Sequence, residues 1–129
     1  MRLLGIDYGE KRIGVALSDE VPDFAYPHSV IQNSPHAIKK IQELCIKEGV
    51  GAIVLGKSLD YAGTPNPIMK KIEVFKIKLE EASGLPVYWE AEMLTSAEAA
   101  RVQGKTPTLD ASAAALILKS YITKNSPLV

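Results

Sequence analysis

Residues 2–19, RLLGIDYGEKRIGVALSD, contain two apolar runs separated by a short polar stretch that includes Gly9. In the second run Ile13, Val15 and Leu17 fall on one side with small residues between them, which is the period-two pattern of a strand. Two strands joined by a tight turn follow from this. They place an acid, Asp7, near the carboxyl end of the first strand. The preference of Asp for turns accounts for such a residue cheaply. A carboxylate in a buried central strand, however, needs hydrogen bonds or a cation to compensate it, and function is the favoured reading for Asp7.

The rest of the chain is organised around this pair. AYPHSVI (25–31) suits a third short strand, which Pro27 would confine to an edge or to one end. Ser34 and Pro35 offer a cap and a first-turn proline for a helix carrying Ile38, Ile41, Leu44 and Cys45, closed by Gly49. VGAIVLG (50–56) is a β-branched run suited to a strand buried on both faces. Asn66 and Pro67 open a second helix with Ile68, Ile72, Phe75, Leu79 and Ala82 along one stripe, ended by Gly84. LPVYWE (85–90) reads as another strand, and Thr95 with Glu98 forms a capping box over a short helix ending near Gly104. In the last helix, DASAAALILKSYI (110–122), alanines permit close approach to a sheet while Leu116, Ile117 and Tyr121 supply bulk. The order is β-β-β-α-β-α-β-α-α, and the alternating second half calls for parallel neighbours with right-handed crossovers.

The 129 residues, 47% hydrophobic and 23% charged, suit one compact α/β domain spanning 1–129. Basic and acidic residues balance at 15 each, so no overall positive field draws the chain to nucleic acid, and any such role uses a local surface. Pairs at Lys11-Arg12, Lys39-Lys40 and Lys70-Lys71 are candidates, although charges on helices most often simply face solvent. The single Cys45 cannot form an internal disulfide, and packing is its expected role. His28 and His36 are too isolated to serve as metal ligands. The start lacks the apolar stretch of a secretion signal and no run reaches membrane-spanning length, so a cytoplasmic protein without a membrane partner is expected.

GAIVLGKS (51–58) has the spacing of the phosphate-cradling loop G-x-x-x-x-G-K-[ST]. Its four variable residues, Ala52 to Leu55, belong instead to a strand whose amides are consumed by the ladder. Gly63, Pro65 and Pro67 further preclude the helix that must follow such a loop. Lys57 and Ser58 nevertheless sit just past a strand end, where ligand sites of open α/β sheets gather.

Two further acids stand at element boundaries. Glu92 comes just after the strand LPVYWE, with Glu90 two residues earlier, and Asp110 lies in the first turn of the last helix. Capping or macrodipole stabilisation explains Asp110 equally well when it is taken alone. If the strands adjoin at the centre of the sheet, Asp7, Glu92 and Asp110 face one crevice. Hard carboxylate donors without a His-Cys cluster select Mg²⁺ or Mn²⁺, and a pair of such ions supports in-line hydrolysis of a phosphodiester.

GIDYGEKRIGVALSD, IVLGKSLDYAGT, LPVYWEAEMLTSAEA and DASAAALILKSYI resemble, in order and spacing, four signature regions of the YqgF family of ribonuclease-H-like proteins. That family is described both as Holliday-junction resolvases and as the nuclease that matures the 5′ end of pre-16S ribosomal RNA. The resemblance implies a ribonuclease-H-like fold, with a five-stranded mixed sheet, an antiparallel second strand and helices on both faces. It also implies an acidic centre at Asp7, Glu92 and Asp110 that uses Mg²⁺ or Mn²⁺, in two ions. Lys11 and Arg12 match the basic part of the first signature, and Lys57 is a further candidate for phosphate contact. In two places the chain departs from the family pattern. Ala91-Glu92-Met93 stands where the family usually has Asp-Glu-Arg, so an acid and a guanidinium are lost, with Glu90 a candidate substitute for the acid. Ser58 stands near the place where a proline is common.

The expected partner is pre-16S ribosomal RNA or a ribosomal precursor particle. One alternative is branched DNA, which would demand a two-fold dimer presenting two centres. Another is an RNA-binding assembly factor without turnover, which the changes at Ala91 and Met93 favour and the retained acids oppose. A two-domain sugar-kinase-like phosphate binder is disfavoured by size.

Overall fold

The computed structural model describes residues 1–60, 62–93 and 107–125, except the side chains of 92, 93 and 107–110. Five strands and three helices are seen: β1 (Arg2–Tyr8), β2 (Arg12–Ser18), β3 (Ala25–Gln32), α1 (Ala37–Glu48), β4 (Val50–Leu59), α2 (Met69–Ser83), β5 (Val87–Met93) and α3 (Pro107–Lys124). They form one sheet in the order β3-β2-β1-β4-β5. β2 is antiparallel to both β1 and β3, whereas β1, β4 and β5 are parallel. The expected mixed sheet with an antiparallel second strand is therefore present, and β1 is its central strand. The helix expected from Thr95 to Gly104 lies outside the described residues.

Strand alternation sorts the core into two layers. Leu4, Ile6, Ile13, Val15, Leu17, Ile53 and Leu55 pack under α1 and α2 with Ile41, Ile72, Phe75 and Leu79. Leu3, Ala16, Ala52 and Val54 pack on the other face against Ala114, Ile117 and Leu118 of α3. Each large side chain among them stabilises the fold by about 1.5–3 kcal/mol relative to exposure, so the period-two pattern fixes the register. In α3 the bulk comes from Ile117 and Leu118. Leu116, expected to share that role, is 60% exposed because the helical repeat turns it away from the sheet.

Close approach of α3 is written into β1. A Cβ on Gly5 would lie 2.8 Å from Leu118 Cβ and 2.9 Å from the Ala114 carbonyl oxygen, so only glycine lets the helix sit this low. Pro27 lies in β3, at the sheet edge, where the register slips between Val15 and Ala16.

The helix starts differ from expectation. Ser34 Oγ accepts a 3.2 Å bond from the His36 amide, which makes a turn before α1, and the helix begins at Ala37. Asn66 likewise precedes α2 by three residues, and its side-chain amide donates to Ser58 Oγ at 2.9 Å, tying the α2 entry to β4. Both ends behave as read, with Gly49 and Gly84 left-handed at φ 66° and 69°. Cys45 is buried in α1, and burial pushes its thiol up to about 11. No helix among the described residues is long and apolar enough to cross a membrane.

Candidate active site

Because β1 alternates, the series Leu3, Gly5, Asp7 points toward α3 while Leu4, Ile6, Tyr8 points toward α1 and α2. Asp7 is thus a half-buried carboxylate on the α3 face, near the carboxyl end of the central strand. Its direct partner on β2 is Gly14. On β4, Ile6 pairs with Leu55, so the residue level with Asp7 is Gly56. The residues level with the acid on both neighbouring strands are therefore glycines. Glycine inside a strand commonly marks the approach of a ligand or another backbone.

Gly56 in turn pairs with Glu90 of β5. Glu90 faces α3 as well, so Asp7 and Glu90 occupy one level of the same face, two strand spacings or roughly 9–10 Å apart. Glu90 is 4% exposed, and its Oε2 accepts from Ser120 Oγ at 2.8 Å and from Lys124 Nζ at 2.6 Å. That oxygen is therefore tied to the end of α3. Beside it Tyr88 stacks on Tyr121 at 5.9 Å, and burial, with Tyr88 and Glu90 nearby, raises the Tyr121 hydroxyl above its ordinary value. The bonding of Glu90 to α3 was missed by sequence reasoning. Its only signal was a Ser and a Lys four apart, a spacing too common to single out.

β5 runs three residues beyond the strand read from the sequence, so Glu92 is inside it, its backbone paired with Ser58. Asp110 is in the first turn of α3, one turn before Ala114, the residue that rests on Gly5. The side chains of Glu92 and Asp110 lie outside what is described. Among the described residues no three His, Cys, Asp or Glu side chains gather as a metal cluster. β1, β4 and β5 carry no histidine or cysteine, so any metal-binding side chains these strands set near Asp7 are oxygen donors.

The basic candidates divide between the two faces. Arg12 belongs to the series Arg12, Gly14, Ala16 on the α3 side, diagonal to Asp7 and within reach of a long side chain. Lys11 is exposed in the turn between β1 and β2. Lys57 continues the series Ile53, Leu55 and belongs to the opposite face, where it does not share Asp7's surroundings. Asn33 clasps the turn with two donors: its backbone N–H donates to the Lys11 carbonyl at 2.9 Å, and its Nδ2 donates to the Gly9 carbonyl at 2.7 Å. A Cβ on Gly9 would lie 2.5 Å from the Arg12 carbonyl oxygen, so the tightness of this turn requires glycine. The phosphate-loop spacing at 51–58 has no counterpart in the fold, since all eight residues lie within β4.

Residues 1–124 match the model of the family described as RuvX: Holliday junction resolvase. A protein of Syntrophomonas wolfei named "Putative pre-16S rRNA nuclease" is 37% identical, covering 98% of this chain and 96% of its own. One of the same name from Burkholderia cenocepacia is 36% identical over 96% of this chain and 90% of its own. Among solved structures, Thermus thermophilus RuvC bound to a Holliday junction superposes with a TM-score of 0.58 at 18% identity, over 96% of this chain and 94% of that one. The fowlpox virus Holliday junction resolvase gives 0.56 at 15%, over 96% and 99%. These two share the ribonuclease-H-like fold. The family match over residues 1–124, together with relatives 36–37% identical over nearly their whole length, makes this chain a member of the RuvX (YqgF) family.

Proposed function

We propose that the protein is a metal-dependent nuclease that processes the 5′ end of pre-16S ribosomal RNA. The observation that carries this reading is Asp7, a half-buried acid on the central strand with glycine on both sides, in a chain whose full-length relatives bear that nuclease name. In this reading Glu92 and Asp110 join Asp7 to hold two Mg²⁺ or Mn²⁺ ions. When bound, the ions supply an activated water and stabilise the leaving oxygen of an in-line displacement. The chain's own residues do the rest. Gly14 and Gly56 flank the acid, Arg12 orients a phosphate on the same face, and Lys11 adds positive charge at the turn.

Glu90 Oε2 already accepts from Ser120 and Lys124, so this reading gives the ions to Glu92 and not to Glu90. The family description and the shared fold of the two resolvases favour one second reading, cleavage of four-way DNA junctions by a dimer. Cleavage of a 5′-extended 16S precursor RNA and of a four-way DNA junction, side by side with Mg²⁺, Mn²⁺ or EDTA, tests the choice. Metal-dependent cutting of the RNA supports the proposal. Paired symmetric cuts in the junction alone would replace it.

A further inference from the structure

On the sheet face opposite Asp7, a cleft of about 600 Å³ opens between α1 and α2. Tyr8 and Phe75 meet there at 4.9 Å between ring centroids, with Val74 beside them, and Lys70, Lys71 and Lys78 stand around the opening. No acid lines it. Lys70 and Lys78 have no carboxylate partner among the described residues. Lys71 meets only the exposed Glu10 at 3.4 Å, a pairing that water screens and a ligand can displace at little cost. Lys70 and Lys71 also occupy the first turn of α2, which contains no acid, so this positive charge opposes the helix dipole and is not explained by stability. Val74, at 52% exposed, leaves apolar surface open beside the rings.

Apolar and aromatic surface inside a rim of three lysines, of which Lys71 alone meets a carboxylate among the described residues, matches one chemistry closely. Phe75 is buried beneath Tyr8, so single-stranded nucleic acid offers bases for the half-buried Tyr8 ring and the exposed Val74, and phosphates for the lysines, whereas a duplex keeps its bases stacked on one another. Asp7 and Tyr8 are consecutive, so the cleft and the candidate catalytic face meet at the same end of β1. We propose that the cleft between α1 and α2 binds a single-stranded flank of the RNA whose scissile phosphate lies at Asp7. The identity of the strand rests on the nuclease reading, but its binding is measured separately from cleavage.

The test is fluorescence anisotropy with a labelled single-stranded RNA of about 12 nucleotides, in EDTA so that nothing is cut. A hairpin-duplex RNA of equal length is run in parallel, over a series of salt concentrations. Lys70→Glu/Lys78→Glu, and the milder Lys70→Gln/Lys78→Gln, are compared with Lys47→Glu/Lys119→Glu, two exposed lysines elsewhere, after thermal melts establish that all are folded. The proposal expects the cleft variants to bind single-stranded RNA at least tenfold more weakly. Their salt slope should be shallower by about 1.4 units, at about 0.7 for each phosphate that a lysine no longer neutralises. The duplex and the control pair should be little affected. Unchanged affinity of the cleft variants, an equal loss for the duplex, or no binding by the wild type would overturn it. A cleft that binds in a protein that cuts nothing would leave its binding of single-stranded RNA standing and remove the nuclease reading.

Discussion

The Glu90 carboxylate on β5 accepts a 2.6 Å bond from the Lys124 ammonium at the end of α3, and the same oxygen accepts from Ser120. Glu90 is nearly sealed from water while the Lys124 side chain is 61% exposed, so the pair is asymmetric. Lys124→Met leaves a buried carboxylate with one donor fewer. It should lower stability by about 1–3 kcal/mol in urea denaturation. Glu90→Gln keeps a polar partner for Ser120 and should leave cleavage within about tenfold of wild type if, as proposed, the ions are held by Asp7, Glu92 and Asp110.

Gly5 sets how closely α3 lies on the sheet. Gly5→Ala places a methyl group 2.8 Å from Leu118 Cβ and 2.9 Å from a backbone carbonyl that cannot rotate away. Overpacking of this kind should cost about 1–3 kcal/mol. Since Asp110 rides on the same helix, cleavage should fall by more than the loss of folded protein explains. Activity per folded molecule, measured well below the melting temperature, checks this.

Asn33 holds the turn that carries Lys11 and leads into Arg12. Asn33→Ala removes the bond to the Gly9 carbonyl and should cost about 1 kcal/mol. Nucleic-acid affinity should fall more than stability, because the basic pair loses its fixed placement. Binding and denaturation curves on the same variant separate the two effects.

Cys45 gives a pH dependence with a definite sign. Burial raises its thiol to about 11 from an ordinary value near 9.0, so the folded protein holds this proton more tightly than the unfolded chain does. The contribution is therefore complete below about pH 9 and is lost as pH rises through about 11. Comparing wild type with Cys45→Ala between pH 8 and 11 isolates it, and only the wild type should show this extra decline. Alkylation of Cys45 at pH 8 should likewise be slow until the protein unfolds.

The sheet was legible because burial on two faces forces a pattern onto the strands. Ile13, Val15 and Leu17 could face only one layer, and the unbroken apolar run at 50–56 could lie only inside the sheet. Asp7 stood out because it interrupts such a run. Helix starts were less legible: Ser34 and Asn66 carry cap-like side chains that the fold uses instead for a turn and for a bond to Ser58. The choice between Leu116 and Leu118 rests on the azimuth at which α3 meets Gly5, a tertiary fact with no local signature. The position of Lys57 followed from strand parity once β4 was known to reach Leu59, two residues past the lysine. The clasp of Glu90 by Ser120 and Lys124 joins residues thirty or more positions apart, which no local pattern announces.

Asp7 as the anchor of a metal-dependent phosphodiesterase centre is open to a decisive experiment. Single-turnover cleavage of 5′-extended 16S precursor RNA is compared between wild type and Asp7→Asn across a Mn²⁺ titration, with folding verified by thermal melts. The expected result is metal-dependent cutting by the wild type and a loss of about 10²–10³-fold or more in the variant, with the RNA still bound. Equal cleavage by the folded Asp7→Asn protein, or wild-type cleavage undiminished in EDTA, would contradict it.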